Sequence, residues 1–239
     1  MGFYFPNDDA YDKLYQASAE KYGPPASLLK GMTAAESEFD PKSVRWEPSG
    51  RTTKQSGDSD ASRGLMQSTQ AAVLDLGWPV ADKDWNKLFD PAASIEWGTK
   101  ELAKALANPY WKRPGGKPDA DMLVVAGRPV EEMAAATYNM GYPRAIERTT
   151  KRIASIYNYP FSYRESPPDG WHFANQPYIN MVISFYAMYS ALDRGDADAV
   201  NRIRDEIKKK ELAAGNRGGW EVWRWLPAAV LYWLPGQSA

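Results

Sequence analysis

The stretch Leu28-Leu29-Lys30-Gly31-Met32-Thr33-Ala34-Ala35-Glu36-Ser37-Glu38-Phe39-Asp40-Pro41 decides how this chain is read. Leu28, Leu29, Met32 and Glu36 fall on one stripe of a helix, because positions three, four, seven and eight apart share a face. Pro24 and Pro25 sit where a first helical turn tolerates proline, and Pro41 marks a helix that has already stopped. Glu36 is therefore expected to point into a core or a cleft wall, whereas Glu38 faces elsewhere. Desolvation favours the neutral carboxylic acid, by about 1.4 kcal/mol for each unit of upward pKa shift. A general acid working at neutral pH requires that property. Taken alone, a helix-terminal glutamate is more ordinarily a cap or a salt-bridge partner.

Two further segments change the balance. Gly64-Leu65-Met66-Gln67 and Ala136-Thr137-Tyr138-Asn139-Met140-Gly141 follow Ala35-Glu36-Ser37-Glu38-Phe39-Asp40-Pro41 in that order. Together the three resemble the soluble lytic transglycosylase family of peptidoglycan-cleaving enzymes. Val44-Arg45-Trp46-Glu47-Pro48, between the first two, looks like a variant found in phage-associated members.

Composition is compatible with such an enzyme and excludes several others. The 239 residues suffice to bury a proper core, and 44% hydrophobic with 25% charged residues is ordinary for a globular protein. A net charge of −1 leaves no global basic footprint, so nucleic acid is not expected as the principal ligand. Without cysteine there is neither a disulfide nor a thiolate nucleophile, and the single His172 rules out a multi-histidine metal site. No cofactor or metal is expected. The N-terminal MGFYFPNDDAYDKLY lacks a basic region followed by an apolar one, so no secretory signal is visible. Since peptidoglycan lies outside the cytoplasmic membrane, the expected route is carriage in a virion, as a tail or internal ejection protein acting in the host periplasm.

The sequence predicts a mainly α, α+β lysozyme-like domain over residues 1–192, with a small β-hairpin element before Gly64. A helical, Trp-rich extension is expected over 193–239. Asp8 or Asp9 is placed as the cap of a helix ending near Tyr22, with Gly23 as its stop. Residues 40–63, rich in Ser, Thr, Gly and Asp, read as a long loop. Ser68 is placed as the cap of a short helix to Leu76, and Asp90-Pro91 opens the clearest helix, with Ile95, Gly98, Leu102, Ala105 and Leu106 as its buried stripe. Further helices are predicted from Pro129, from Arg144 to Tyr157, from Pro177 to Leu192, and from an Asp196 cap to about Ala214.

A glycosidase must protonate a poor leaving group while positive charge builds at the anomeric carbon, and an acetamido sugar can supply the second catalytic group itself. The resemblance implies that Glu36 protonates the oxygen linking N-acetylmuramic acid to N-acetylglucosamine. Glu36 would then remove the C6 hydroxyl proton, closing a 1,6-anhydro ring. No second acid lies on the Glu36 stripe. Ser37 has two readings of equal weight, a bond to the acetamido group or one to a preceding helix carbonyl. Gly64 is expected to let backbone approach the sugar, Gln67 to pair with an acetamide or hydroxyl, and Met66 to pack or line the cleft. Tyr138 is expected to bond the carboxyl or the acetamido group, or to stack on a sugar face. Asn139 fixes backbone before Gly141, and Tyr178 resembles the tyrosine that approaches the acid from the far side.

Glu47 has two readings, a second acid that activates water and turns the reaction toward hydrolysis, or a partner for Arg45 or Arg51. Asp58 and Asp60 carry the same choice more weakly. Arg144, Arg148 and Arg152 form one basic helix face. His172 between Trp171 and Phe173 reads as a packed or loop residue. Trp220, Trp223, Trp225 and Trp233 lie in an apolar run shorter than the roughly 20 residues a spanning helix needs. That run is expected either to pack back on the domain or to contact a membrane surface or other virion proteins. The functional alternatives are a hydrolytic muramidase and a structural virion protein with a glycan-binding lysozyme-like module.

Overall fold

The computed structural model describes residues 3–46, 61–79, 84–107, 131, 132, 134, 135, 138 and 176–213. These residues are mainly helical. In chain order they form α1 (Asp12–Tyr22), α2 (Ala26–Ser37), β1 (Val44–Trp46), β2 (Ala61–Arg63), α3 (Gln70–Asp75), a 3-10 turn (Trp85–Phe89) and α4 (Pro91–Ala107). The helices α5 (Gln176–Asp193) and α6 (Ala197–Ala213) complete them.

The helix carrying Glu36 is the axis of the fold. Leu28, Leu29 and Met32 are fully buried, as their stripe predicts, but so are residues on the other sides of α2, including Thr33 and Ala34. The predicted single apolar face is thus too narrow a description, because α2 is enclosed from several directions. It runs along α5, and α1 packs against both α2 and α4. Gly31 makes the α2–α5 approach possible: a Cβ there would sit 2.9 Å from the Tyr186 amide nitrogen and 3.0 Å from the Val182 carbonyl oxygen. Lys30, itself buried, is held by Asp12 at 2.6 Å and lies 4.7 Å from the centre of the Tyr189 ring.

Two cap assignments are corrected. Asp8 does not cap α1, whose N-cap position is Tyr11 without a side-chain bond. Instead the buried Asp8 carboxylate accepts from the backbone N–H groups of Phe3, Tyr4 and Phe5 and from the Tyr189 hydroxyl, tying the N-terminal segment to α5. The cap of α3 is Thr69 rather than Ser68, its Oγ1 accepting from the Ala72 N–H at 3.2 Å. Asp90 and Asp196 do cap α4 and α6, accepting from Ala93 and Ala199. The expected small β element is the antiparallel pair β1–β2, in which Val44, Arg45 and Trp46 face Arg63, Ser62 and Ala61.

One core runs through α1, α2, α4, α5 and α6, with Val200 and Ile207 of α6 buried in it. A second cluster gathers Val73, Trp78, Trp85 and Leu88 under α3. Residues 131, 132, 134, 135 and 138 are helical, with Ala134 and Ala135 buried. The predicted helix from Arg144 to Tyr157 and the Trp-rich run lie outside the described residues. No described helix is long and apolar enough to cross a membrane.

Candidate active site

Glu36 occupies the last turn of α2 and is 6% exposed. The chain leaves the helix through two consecutive left-handed residues, Glu38 at φ 54° and Phe39 at φ 62°. Neither is glycine, so the exit is costly, on the order of 1–3 kcal/mol per residue, and persists only where the surroundings impose it. Phe39 is fully buried among Phe5, Tyr15 and Tyr189, which supplies that constraint.

Tyr178, in the first turns of α5, donates its hydroxyl hydrogen to Glu36 Oε1 at 2.6 Å. Burial pushes the Tyr178 phenol well above its ordinary range; the Glu36 charge and this hydrogen bond add to the rise, while Arg45 opposes it. The phenol is therefore a fixed donor at any working pH.

Gly64-Leu65-Met66-Gln67 connects β2 to α3 and wraps beside the end of α2. Ser37 Oγ donates to the Leu65 carbonyl at 2.8 Å and lies 3.3 Å from the Thr33 carbonyl of its own helix. Met66 is fully buried, and its sulfur accepts from Thr33 Oγ1, which in turn accepts from the Tyr15 hydroxyl. Gln67 adopts φ 49°, and its Nε2 donates to the carbonyls of Ser43 and Gly64 at 3.0 and 2.8 Å. Its nitrogen is thus bonded to the protein's own backbone. Gly64 has φ +75°, and a Cβ there would lie 1.9 Å from the Leu88 carbonyl oxygen and 2.7 Å from Ser94 Oγ. The neighbouring chain thus demands a glycine at this position.

Tyr138 donates its hydroxyl to the Met66 carbonyl at 2.6 Å. The Tyr138 hydroxyl thus holds this loop. Its phenol is raised well above the usual range by burial, then by the charges of Glu101 and Glu36, with Ser68 acting in the opposite direction. Asn139, Glu47, Asp58, Asp60, the three arginines and His172 lie outside the described residues.

The sequence reading missed Glu101. It lies on α4, on the face that Ser94 and Gly98 share: Ser94 Oγ accepts from the Met66 N–H at 3.1 Å, and a Cβ at Gly98 would lie 2.3 Å from Met66 Cβ. Burial pushes the Glu101 carboxyl up to about 8; the Glu36 and Asp75 charges also raise it, and Lys104 lowers it. The available signal was the small-residue face Ser94–Gly98, which brings α4 close to the loop and carries Glu101 along with it.

These elements bring together a buried carboxyl, a phenol bonded to it and a loop tied to the same helix through Ser37 and Thr33. The family model described as Transglycosylase SLT domain matches residues 13–158, more than half of the chain, and the protein belongs to that family. The helical fold is that of this lysozyme-like class, and membership supports lytic transglycosylase activity on peptidoglycan. Neither the curated proteins nor the solved structures contain a significant match.

Proposed function

We propose that the protein cleaves the β-1,4 bond between N-acetylmuramic acid and N-acetylglucosamine in peptidoglycan, leaving a 1,6-anhydro end. The observation that carries this reading is Glu36, 6% exposed at the end of α2 with the Tyr178 hydroxyl 2.6 Å from its Oε1. The neutral Glu36 carboxyl gives its proton to the bridging oxygen as the C1–O bond breaks, and the substrate's acetamido oxygen stabilises the cation that develops. The Tyr178 hydrogen bond stabilises the carboxylate so formed. That carboxylate takes the C6 hydroxyl proton as O6 closes on C1, and no water is consumed.

Delivery in a phage particle is part of the same proposal, supported by the likeness of Val44–Pro48 to phage-associated members. Its finer element is that the segment bearing Trp220, Trp223, Trp225 and Trp233 contacts other virion proteins or a membrane surface. Removing residues 216–239 is then expected to abolish that association while sparing catalysis, and unchanged partitioning would refute it. The activity itself is tested with Glu36→Gln, which is expected to lose clearance of purified sacculi while keeping the wild-type unfolding midpoint. Equal clearance by the two proteins would contradict the assignment.

A further inference from the structure

We propose that the N-terminal segment of residues 3–8 is a positioning element of the active site: closed on itself by Asp8, it holds Phe39 and so fixes the left-handed turn that ends the Glu36 helix. The proposal rests on the reading of Glu36 as the acid and base. Neither the segment nor its partners on α5 fall within residues 13–158, which the family model matches. One oxygen of Asp8, Oδ1, accepts from the Phe3 N–H at 2.6 Å. The other, Oδ2, accepts from the N–H groups of Tyr4 and Phe5 at 2.7 and 3.2 Å and from the Tyr189 hydroxyl at 3.1 Å. Asp8 is 1% exposed, and a carboxylate so far from water needs such donors. Burial, then the Asp8 charge, pushes the Tyr189 phenol well above its ordinary range, so that it stays a donor.

The segment held in this way delivers Phe5 to Phe39. The Phe5 ring lies 5.7 Å from that of Phe39 and 5.4 Å from that of Phe185, against which Tyr4 also packs at 5.3 Å. Tyr15 of α1 and Tyr189 of α5 complete the surroundings of Phe39, at 6.3 and 6.0 Å. Of these three partners of Phe39, Phe5 alone stands on no helix, so its place depends on the bonds that Asp8 makes. Glu38 and Phe39, at φ 54° and 62°, keep a backbone that persists only where the surroundings impose it. The turn they form is closed by the Glu38 N–H on the Ala34 carbonyl at 3.3 Å and by the Asp40 N–H on the Ser37 carbonyl at 2.9 Å. Once Phe39 is released, the last turn of α2 can relax and carry Glu36 away from Tyr178. Tyr178 and Tyr189 stand about three helical turns apart on α5 and so share a face. One helix thus carries both the phenol bonded to Glu36 and the phenol bonded to Asp8.

Asp8→Asn in the full chain tests this. Whichever way its amide is turned, an NH2 group then faces N–H donors, so the segment loosens with little change of volume. On soluble glycan strands kcat is expected to fall at least about tenfold with KM within about twofold, because the reacting carboxyl is misplaced while the binding of the sugar is not. Amide hydrogen exchange needs no activity: Glu38 and Asp40 are expected to exchange at least about tenfold faster, while Leu102 and Ala105 of α4 keep their rates. Phe5→Ala is expected to act alike, and Phe5→Leu, which refills the space against Phe39, to stay within about threefold of the wild-type kcat. A purely structural role would speed exchange in α4 as much as at the helix end, or leave kcat per folded molecule unchanged; either result overturns the proposal. Should Asp8→Asn fail to fold, the Phe5 pair decides, and equal kcat for Phe5→Ala and Phe5→Leu overturns it. A wild type that leaves the strands uncut, with exchange in Asp8→Asn faster at Glu38 and Asp40 alone, refutes the catalytic reading of Glu36 instead and supports the hold on the helix end.

Discussion

The hydroxyl of Tyr178 lies 2.6 Å from Glu36 Oε1, across 142 residues of sequence. The contact exists because α5 packs along α2, with Gly31 letting the two backbones approach. The phenol remains protonated at working pH and so donates to the carboxyl throughout, which helps most when that carboxyl carries charge. Tyr178→Phe removes one hydrogen bond to a charged group, worth roughly 1.5–3 kcal/mol, and is expected to lower the rate of sacculus clearance by roughly 10- to 100-fold. The unfolding midpoint is expected to fall as well, because a buried hydrogen bond is lost. A variant as fast as wild type would remove Tyr178 from the catalytic description.

Tyr138 acts through the loop. Its hydroxyl is the side-chain donor that reaches the buried Met66 carbonyl. Tyr138→Phe leaves that carbonyl without this donor, at a cost of about 1–3 kcal/mol. Denaturant titration is expected to register the loss as a lower midpoint with an unchanged slope. An unaltered midpoint would mean the loop does not depend on this bond.

Gly64 has no room to change. Gly64→Ala would combine an unfavourable φ of +75° with a Cβ 1.9 Å from the Leu88 carbonyl oxygen. The β2–α3 connection has to move, and the expected loss is more than about 3 kcal/mol, measured by reversible unfolding. A change under 1 kcal/mol, on the scale of ordinary surface substitutions, would contradict this packing.

The pH dependence of stability should carry a mark from Glu96. The Tyr22 hydroxyl is the main cause of its lowered value of about 2, helped by Lys21 and Lys100 and opposed by burial. With the folded value below the unfolded one, the stabilisation is present above about 4.5 and is lost as pH falls toward 2. The group is 39% exposed, so solvent screening keeps the effect modest. Tyr22→Phe is expected to raise the Glu96 titration midpoint in carboxyl NMR and to flatten the acid decline of stability. An unmoved midpoint would show that the phenol is not the cause.

Where local chemistry decides the outcome, the sequence was readable. Asp90-Pro91 and Asp196 mark helix starts because a capping carboxylate needs only its own next turn, and Glu36 was found from residues on its own helix together with the motif resemblance. Asp8 was misassigned as a helix cap because its acceptors satisfy the residues before it and a tyrosine 181 positions away. The contacts that hold Gln67 and Gly64, with Ser43, Leu88 and Ser94, are not legible in the sequence, because only the folded chain assembles them. Glu101 went unnoticed for the same reason, since its relation to Glu36 arises from the packing of α4 on the loop.

Product analysis tests the central claim most directly. Sacculi digested with the wild-type protein in isotopically labelled water are expected, by mass spectrometry, to yield muropeptides ending in 1,6-anhydro-N-acetylmuramic acid without solvent oxygen, and Glu36→Gln is expected to yield none. Reducing ends that carry solvent oxygen, or anhydro products from Glu36→Gln, would contradict it.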